Sequence, residues 1–538
     1  MSAQVLVVGW DGVSWPLTQK LVAQGKMPTL ARLIRSGMAG PLRSTIPDIS
    51  PTAWASFMTG KNPGKHGVYG FAIKPYGSYY LEPFSAHGHL QGKTIWRLLS
   101  QQGRRVAAIN VPMTYPPEPV NGIMLSGLGT PGLESNYTYP RELAEELNRR
   151  VGPHILDLEW TEYEQRGYAD LLEDDRKMLE RHAQYALHCL KRERWDLFMV
   201  VFVNTDRLQH CLWHLLEPPT PLSSDQEAVR ARVLDRYTHL DSVLAELLAA
   251  APDANVFIMS DHGFGPSAAT VQLNTWLAKQ GYLQWSTKQH SLIRKLASMR
   301  RRLGLTADRA RRLMRRAGMD DLRQIERFSL GVKSIDWGKT RAFSYTINGI
   351  YLNLKGRERQ GTVAPGAEAD KLWKEIAEGL LRLRDPGSDK AIISRVARPQ
   401  EIYTGDRVSL APDLIITEWD EAFCMHCNLV PTENIFQHST WRTGEHQLDG
   451  ILIAAGEKIQ RGRHIQNSRL EDLCPTLLHL LGHAVPEDMD GRVLTELFTS
   501  SESVAIAAPS PTTETTEALS PEEQEMVFER LRALGYFE

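Results

Sequence analysis

The chain has 538 residues, of which 42% are hydrophobic, with 62 Lys and Arg against 64 Asp and Glu and a formal net charge of -2. That length can bury a large core, and the near-balanced charge excludes a global field that would hold nucleic acid or a membrane surface, so no stable nucleic-acid complex is expected. No apolar run reaches about 18 residues, so no transmembrane helix is expected.

In chain order, Val5-Leu6-Val7-Val8 reads as a buried first strand. No basic segment precedes it, so it is read as core and not as a signal peptide, and a cytoplasmic location is the expectation. The strand ends in Gly9-Trp10-Asp11-Gly12, which puts Asp11 just beyond it. Ser50 follows in Ile49-Ser50-Pro51-Thr52-Ala53-Trp54. A helical stretch, Ile95 to Leu99, leads into a strand at Arg105 to Asn110, and a long helix from about Asp170 leads into Leu197 to Val203. Asp206 and His210 come next, at a spacing that shares one helix face. After the helical Tyr237 to Leu244, the strand Val256 to Met259 ends in Asp261-His262-Gly263-Phe264-Gly265. This βα alternation predicts an α/β fold with a mainly parallel central sheet and helices on both faces. Open sheets of that kind place ligand sites at the C-terminal edge of their strands.

The segment Lys288 to Arg323 differs, with twelve Lys or Arg against three Asp or Glu. Its apolar residues fall at helical spacing, which predicts a basic helical insertion over 285–329 between two parts of one catalytic domain, 1–284 and 330–498. It is either a solvated flap or a lid or collar that meets an anionic substrate or peripheral membrane surface. Residues 499–520 have the composition of a flexible linker. Residues 521–538 read as an amphipathic helix that docks on the body or on a second subunit of a homodimer. Five cysteines, an odd and sparse set, argue against a disulfide framework, and Cys424-Met425-His426-Cys427 has no second pair to complete a structural zinc site.

Asp11, Ser50, Asp206, His210, Asp261, His262 and His446 are the candidate metal-ligating and catalytic residues. Each alone has a bland reading as a cap, a turn or a structural histidine. Together, and in this order, they resemble the alkaline phosphatase superfamily, and most closely its type I phosphodiesterase/nucleotide pyrophosphatase branch. The resemblance runs from Val5 to about Arg492. It is carried by Ser50-Pro51-Thr52-Ala53-Trp54 with the following Thr59-Gly60, Pro63-Gly64 and His66-Gly67, by Ser260-Asp261-His262-Gly263, by Gly444-Glu445-His446, and by Asp488-Met489-Asp490-Gly491-Arg492.

The resemblance implies an alkaline phosphatase-like fold and two divalent metal ions, with Zn2+ best suited to mixed His and Asp ligands and Mn2+ or Fe as alternatives. It implies one ion held by Asp206, His210 and His446, and another by Asp11, Asp261, His262 and the nucleophile oxygen. The branch usually has Thr where this chain has Ser50; the hydroxyl is kept, and Thr52 stays open as a rival. The implied activity is hydrolysis of a phosphoric diester or nucleotide pyrophosphate through a phosphoseryl intermediate. Alternatives are a phosphomonoesterase or phosphonate hydrolase, or a scaffold protein with a degenerate site. The absence of an Arg beside Ser50 argues against a sulfatase and mildly favours diesters. The expected partner is a small phosphate ester, a nucleotide or lipid headgroup among them. Asn110, just after its strand, is expected to donate to a phosphate oxygen. Arg207 and His214 are expected to support the ligands on their helix.

Overall fold

The computed structural model describes residues 3–286, 332–500, 502–510 and 519–535. Its centre is a ten-stranded sheet. Ala3–Trp10 lies in the middle, parallel to Trp195–Phe202 on one side and to Asn255–Met259 on the other. Val106–Val111 and Gly122–Ser126 continue the sheet in parallel beyond Trp195–Phe202, and the short Thr138–Tyr139 closes that edge antiparallel. On the other side Asp449–Ala455 runs antiparallel between Asn255–Met259 and Met38–Arg43. Met38–Arg43 therefore points the same way as the central strands. Val106–Val111 and Asn255–Met259 are buried at every residue, which requires cover on both sheet faces. The helix Tyr168–Arg192 covers Trp195–Phe202 and Val106–Val111, and Ser224–Ala250 packs on that helix.

Between Ala269 and Phe436 the chain builds a second hydrophobic core. Its antiparallel sheet runs Ala342–Thr346, Gly349–Leu352, Leu414–Trp419, Ile393–Ala397, and the helix Ala367–Leu381 belongs with it. Residues 330–498, read from sequence as one continuation of the catalytic domain, thus divide between this second core and a return to the main sheet at Asp449. The stacked Tyr79 and Trp337 rings, 3.9 Å apart, join the early chain to the second core.

Nearly all of the basic insertion expected at 285–329, with its lid and membrane-contact readings, lies outside the described residues. The expected linker is not wholly irregular. Ile506–Ala507 pairs in parallel with Val485–Pro486, and the Ser510 amide donates to Asp488. Backbone pairing and one side-chain acceptor outweigh a linker-like composition there. Pro521–Ala533 is a helix with a Ser520 capping box, and it buries Val527, Phe528 and Leu531. Tyr115 donates to Glu523, Thr161 to the Ala533 carbonyl, and Arg530 to the Thr130 carbonyl at 3.3 Å, so the helix packs on its own chain. No helix among the described residues is long and apolar enough to cross a membrane.

Candidate active site

Three parallel strands deliver their following residues to one sheet edge. Asp11 follows Trp10, and its amide donates to the Phe202 carbonyl at 3.1 Å. The helix Asn204–Leu216 begins just after Phe202 and carries Asp206 and His210 on consecutive turns. Ser260-Asp261-His262 follows Met259. Gly12 holds these ends together: its amide donates to Asp261 Oδ1 at 3.3 Å, and its carbonyl accepts from Gln209 at 2.8 Å. It has φ of +73°, and a Cβ there would lie 2.9 Å from the Phe264 ring, so only glycine fits. His446 reaches the same place on Gly444–Gln447, paired antiparallel with Gly263–Pro266.

The candidate ligand atoms form two clusters. Asp206 Oδ1 lies 3.1 Å from His446 Nε2 and 3.4 Å from His210 Nε2, and the two Nε2 atoms are 3.2 Å apart. Two ligands each about 2.0–2.1 Å from a tetrahedral zinc ion lie roughly 3.4 Å apart. The triangle is thus of the size of one face of such a site. In the second cluster His262 Nε2 lies 3.5 Å from Asp11 Oδ1 and 3.4 Å from Asp261 Oδ2. Asp206 also comes within 4.8 Å of Asp11 and His262, so it stands between the clusters and not in one alone.

The donor chemistry fits cations. Each histidine's Nδ1 faces a backbone carbonyl: His210 that of Gly444 at 3.2 Å, His262 that of Gly263 at 3.0 Å, His446 that of Asp48 at 3.1 Å. With Nδ1–H donating outward, each Nε2 lone pair points into the site. Asp11 Oδ1, Asp261 Oδ2 and His262 Nε2 are buried with no hydrogen-bond partner in the protein. Buried polar atoms without partners are costly, and a shared cation satisfies all three.

Electrostatics agree. Burial pushes Asp11 well up, and the carboxylates of Asp261 and Asp206 add to it. Burial, opposed by His446 and reinforced by Asp206, pushes Asp261 up to about 7. Crowded buried carboxylates resist ionising together unless a cation offsets them. Burial works to raise Asp206 too, but the His210 imidazole and the Arg207 guanidinium hold it well below the usual range. Burial lowers His262 to about 3 and His210 to about 4, which keeps both neutral and able to ligate. His446 differs: burial lowers it, but its bond to Asp206 and the charges of Asp206 and Glu445 prevail and raise it. A proton on His446 and a metal ion compete for the same lone pair.

Ser50 opens the helix Ser50–Thr59, which is buried throughout. It stands two residues beyond Asp48, whose carbonyl touches His446, and the loop before it is tied to the site by Ser44 donating to the Asp261 carbonyl. A helix N-terminus presents unpaired backbone N–H groups and a positive dipole end, which favours anionic oxygen. Thr52, two residues on in the same first turn, is buried with its hydroxyl unpartnered. The Pro-Gly and His-Gly portion of this segment is structural in its contacts. His66 Nε2 meets Ser56 Oγ at 2.9 Å and His66 Nδ1 accepts from the Val68 amide. Asp490 takes Lys65 at 2.7 Å and the Asn62 amide at 2.8 Å, so the two motifs clamp one another.

Asn110 is placed otherwise than the sequence suggests. Its Nδ2 donates to the Val201 carbonyl at 3.0 Å and faces His182, so its donor is committed inside the sheet and not to a phosphate. His214 Nδ1 meets Thr443 Oγ1 at 3.0 Å, bracing the strand that bears His446. Arg207 is fully buried, pairs with Asp206, and takes Asp157 in a fork of two 2.8 Å bonds. Sequence reading missed Asp157, because nothing in its local context marks it. It also assigned no role to Glu445, although that residue adjoins His446 and binds Arg442 at 2.8 Å. Asp157→Ala is expected to cost about 3 kcal/mol, since it strips a buried guanidinium of its bidentate partner. The midpoint of thermal unfolding measures this, and an unchanged midpoint would show that Asp206 alone satisfies Arg207.

Comparison with known proteins bears on the fold and the family. Among solved structures the chain is similar to human ectonucleotide pyrophosphatase/phosphodiesterase 5, at 12% identity and a TM-score of 0.50, covering 92% of this chain and 100% of that one. It is also similar to phosphonoacetate hydrolase from Sinorhizobium meliloti 1021 in complex with phosphonoacetate, at 12% identity and a TM-score of 0.52, covering 89% and 95%. At such identity these likenesses establish the fold, an alkaline phosphatase-like α/β architecture. No curated protein matches by sequence. The family model for type I phosphodiesterase/nucleotide pyrophosphatase matches residues 5–446. With that match over most of its length, the chain belongs to the type I phosphodiesterase/nucleotide pyrophosphatase family of phosphoric ester hydrolases.

Proposed function

We propose that this protein is a two-metal phosphodiesterase or nucleotide pyrophosphatase that works through a phosphoseryl intermediate on Ser50. The observation that carries the reading is the convergence of three Nε2 atoms, each with its Nδ1 turned to a backbone carbonyl, upon Asp206, Asp11 and Asp261. Asp206, His210 and His446 would hold one divalent ion, and Asp11, Asp261, His262 and Ser50 the other, with Asp206 close to both. Zn2+ suits these ligands best. Bound there, such ions supply acidification of a hydroxyl and neutralisation of phosphate charge.

The protein's own groups do the rest. Ser50 Oγ attacks phosphorus and loses its proton, the ester oxygen opposite departs and gains one, and water then cleaves the phosphoserine. The helix that Ser50 begins turns its N-terminal dipole toward the reacting oxygens. Arg207, held by Asp157, keeps Asp206 ionised and oriented. Burial of the ligand set excludes water and strengthens each of these interactions.

The test is a zinc-loaded preparation assayed on bis-p-nitrophenyl phosphate, p-nitrophenyl phosphate and phosphonoacetate, with metal content measured alongside. The expected result is two metal ions per chain and faster cleavage of the diester than of the monoester or phosphonate. A preparation that holds no metal and cleaves none of the three would sink the enzyme reading and favour a binding role.

A further inference from the structure

The second core meets the metal centre at a small cavity of about 20 Å3, lined by Asp48, Ile49, Asn348, Glu421, Arg442 and His446 among others. Ile49 is the residue before Ser50, so the cavity adjoins the reacting end of the helix. Asn348 reaches it from the turn between the antiparallel strands Ala342–Thr346 and Gly349–Leu352. Its side chain is the cavity's unexplained feature. The residue is 1% exposed, and neither Nδ2 nor Oδ1 has a hydrogen-bond partner in the protein. Its backbone is committed: the amide donates to the Met425 carbonyl at 3.3 Å, and the carbonyl accepts from the Ile416 amide at 2.8 Å. The carboxamide is thereby held at the cavity wall.

Backbone conformation does not account for this residue. Asn348 has φ of 61°, a region that asparagine tolerates. Glycine meets that demand without burying two polar atoms unpaired. The carboxamide therefore marks a place for a ligand group. A cavity of this size accepts about one water-sized group. A carboxamide presents one kind of donor and one acceptor, the complement of a single hydroxyl. Charge narrows the choice further. Arg442 is paired with Glu445 at 2.8 Å, and the carboxyl groups of Asp48 and Glu421 line the same wall. A second phosphate would meet those carboxyls, whereas a neutral hydroxyl finds acceptors and a donor.

We propose that Asn348 is a specificity-determining residue that receives a hydroxyl of the ester's alcohol, so that the site favours phosphoric esters of neutral polyols over those of simple alkyl alcohols. This rests on the metal centre being the phosphate site.

The test is calorimetric titration of the metal-loaded, full-length protein with glycerol 1-phosphate and with n-propyl phosphate. Glycerol 1-phosphate is expected to bind at least about tenfold more tightly, since a site built to hydrogen-bond a hydroxyl discriminates against the analogue lacking it. In Asn348→Gly, which keeps the turn conformation, the ratio is expected to fall to within about twofold. Asn348→Asp, which keeps the shape and loses the donor, should also lower it and serves if the glycine variant fails to fold. Equal affinities in the unmodified protein, failure of glycerol 1-phosphate to bind, or an unchanged ratio in either folded variant overturns the proposal. Turnover of bis-p-nitrophenyl phosphate, followed in parallel, separates the two readings. A preserved affinity ratio without turnover defeats the hydrolase and not the recognition, and turnover without the ratio does the reverse.

Discussion

Ser50→Ala is expected to lower diester turnover by more than about a thousandfold, while bound metal stays close to that of the unmodified protein. The two halves of this expectation have separate causes. The fall is expected because Ser50 heads the buried helix Ser50–Thr59, two residues beyond Asp48, whose carbonyl meets His446. Metal is expected to stay because the six candidate carboxylate and imidazole ligands remain. Assay of bis-p-nitrophenyl phosphate together with elemental mass spectrometry reads both. Full activity in Ser50→Ala would remove it as nucleophile. Loss of activity in Thr52→Ala alone would then transfer the role to Thr52, whose buried hydroxyl has no partner.

The second large effect concerns Asp206. Asp206→Ala is expected to deplete both metal ions and to lower turnover by more than about a thousandfold. Asp261→Ala is expected to deplete only one. The difference follows from position. Asp206 makes two edges of the first triangle and also lies within 4.8 Å of Asp11 and His262, whereas Asp261 meets His262 at 3.4 Å and belongs to neither of those groups. Its loss also takes a partner from the buried Arg207, so a lower unfolding midpoint is expected as well. The measurement is metal per chain after dialysis against buffer without metal, for the two variants side by side. Equal depletion in both, or retention of one ion in Asp206→Ala, would show that the clusters do not share this carboxylate.

Much of the site was legible because α/β folds put chemistry at strand ends, and strand ends can be read locally. Asp11 after Val5 to Val8, Asp206 after Leu197 to Val203, and Asp261-His262 after Val256 to Met259 each follow an apolar run of strand length. The spacing of Asp206 and His210 predicts one helix face, and the structure has both on Asn204–Leu216. His446 was legible only through the resemblance, because its strand returns from a distant part of the chain to pair with Gly263–Pro266. Asp157 was not legible at all. Its role exists only through Arg207, and such pairing depends on where two distant loops meet.

The misreadings share that origin. Asn110 lies inside the strand Val106–Val111, whereas the candidate ligands follow theirs, and its donor turns sideways to the neighbouring strand's Val201 carbonyl. A strand-end position sets where a residue lies, not which partner its side chain takes. Residues 499–520 have a linker's composition, yet Ile506–Ala507 pairs with a strand already in place, and composition does not record available partners. The second core was likewise invisible, because its antiparallel sheet is defined by which strands pair and not by any one strand's pattern.

By itself, then, the sequence determined the fold class, the family and the residue types that meet at the sheet edge, since periodicity, strand-end placement and ordered motifs are local properties of the chain. Only the tertiary structure decided how those residues combine: the sharing of Asp206 between two clusters, the outward Nδ1 bonds that aim three Nε2 atoms inward, the support of Arg207 by Asp157, and the unpaired Asn348 in a cavity shared with Asp48 and His446. These are distances and hydrogen bonds between segments far apart in sequence, set by how the strand ends and loops of the main sheet meet and, for Asn348, by how the second core packs beside them.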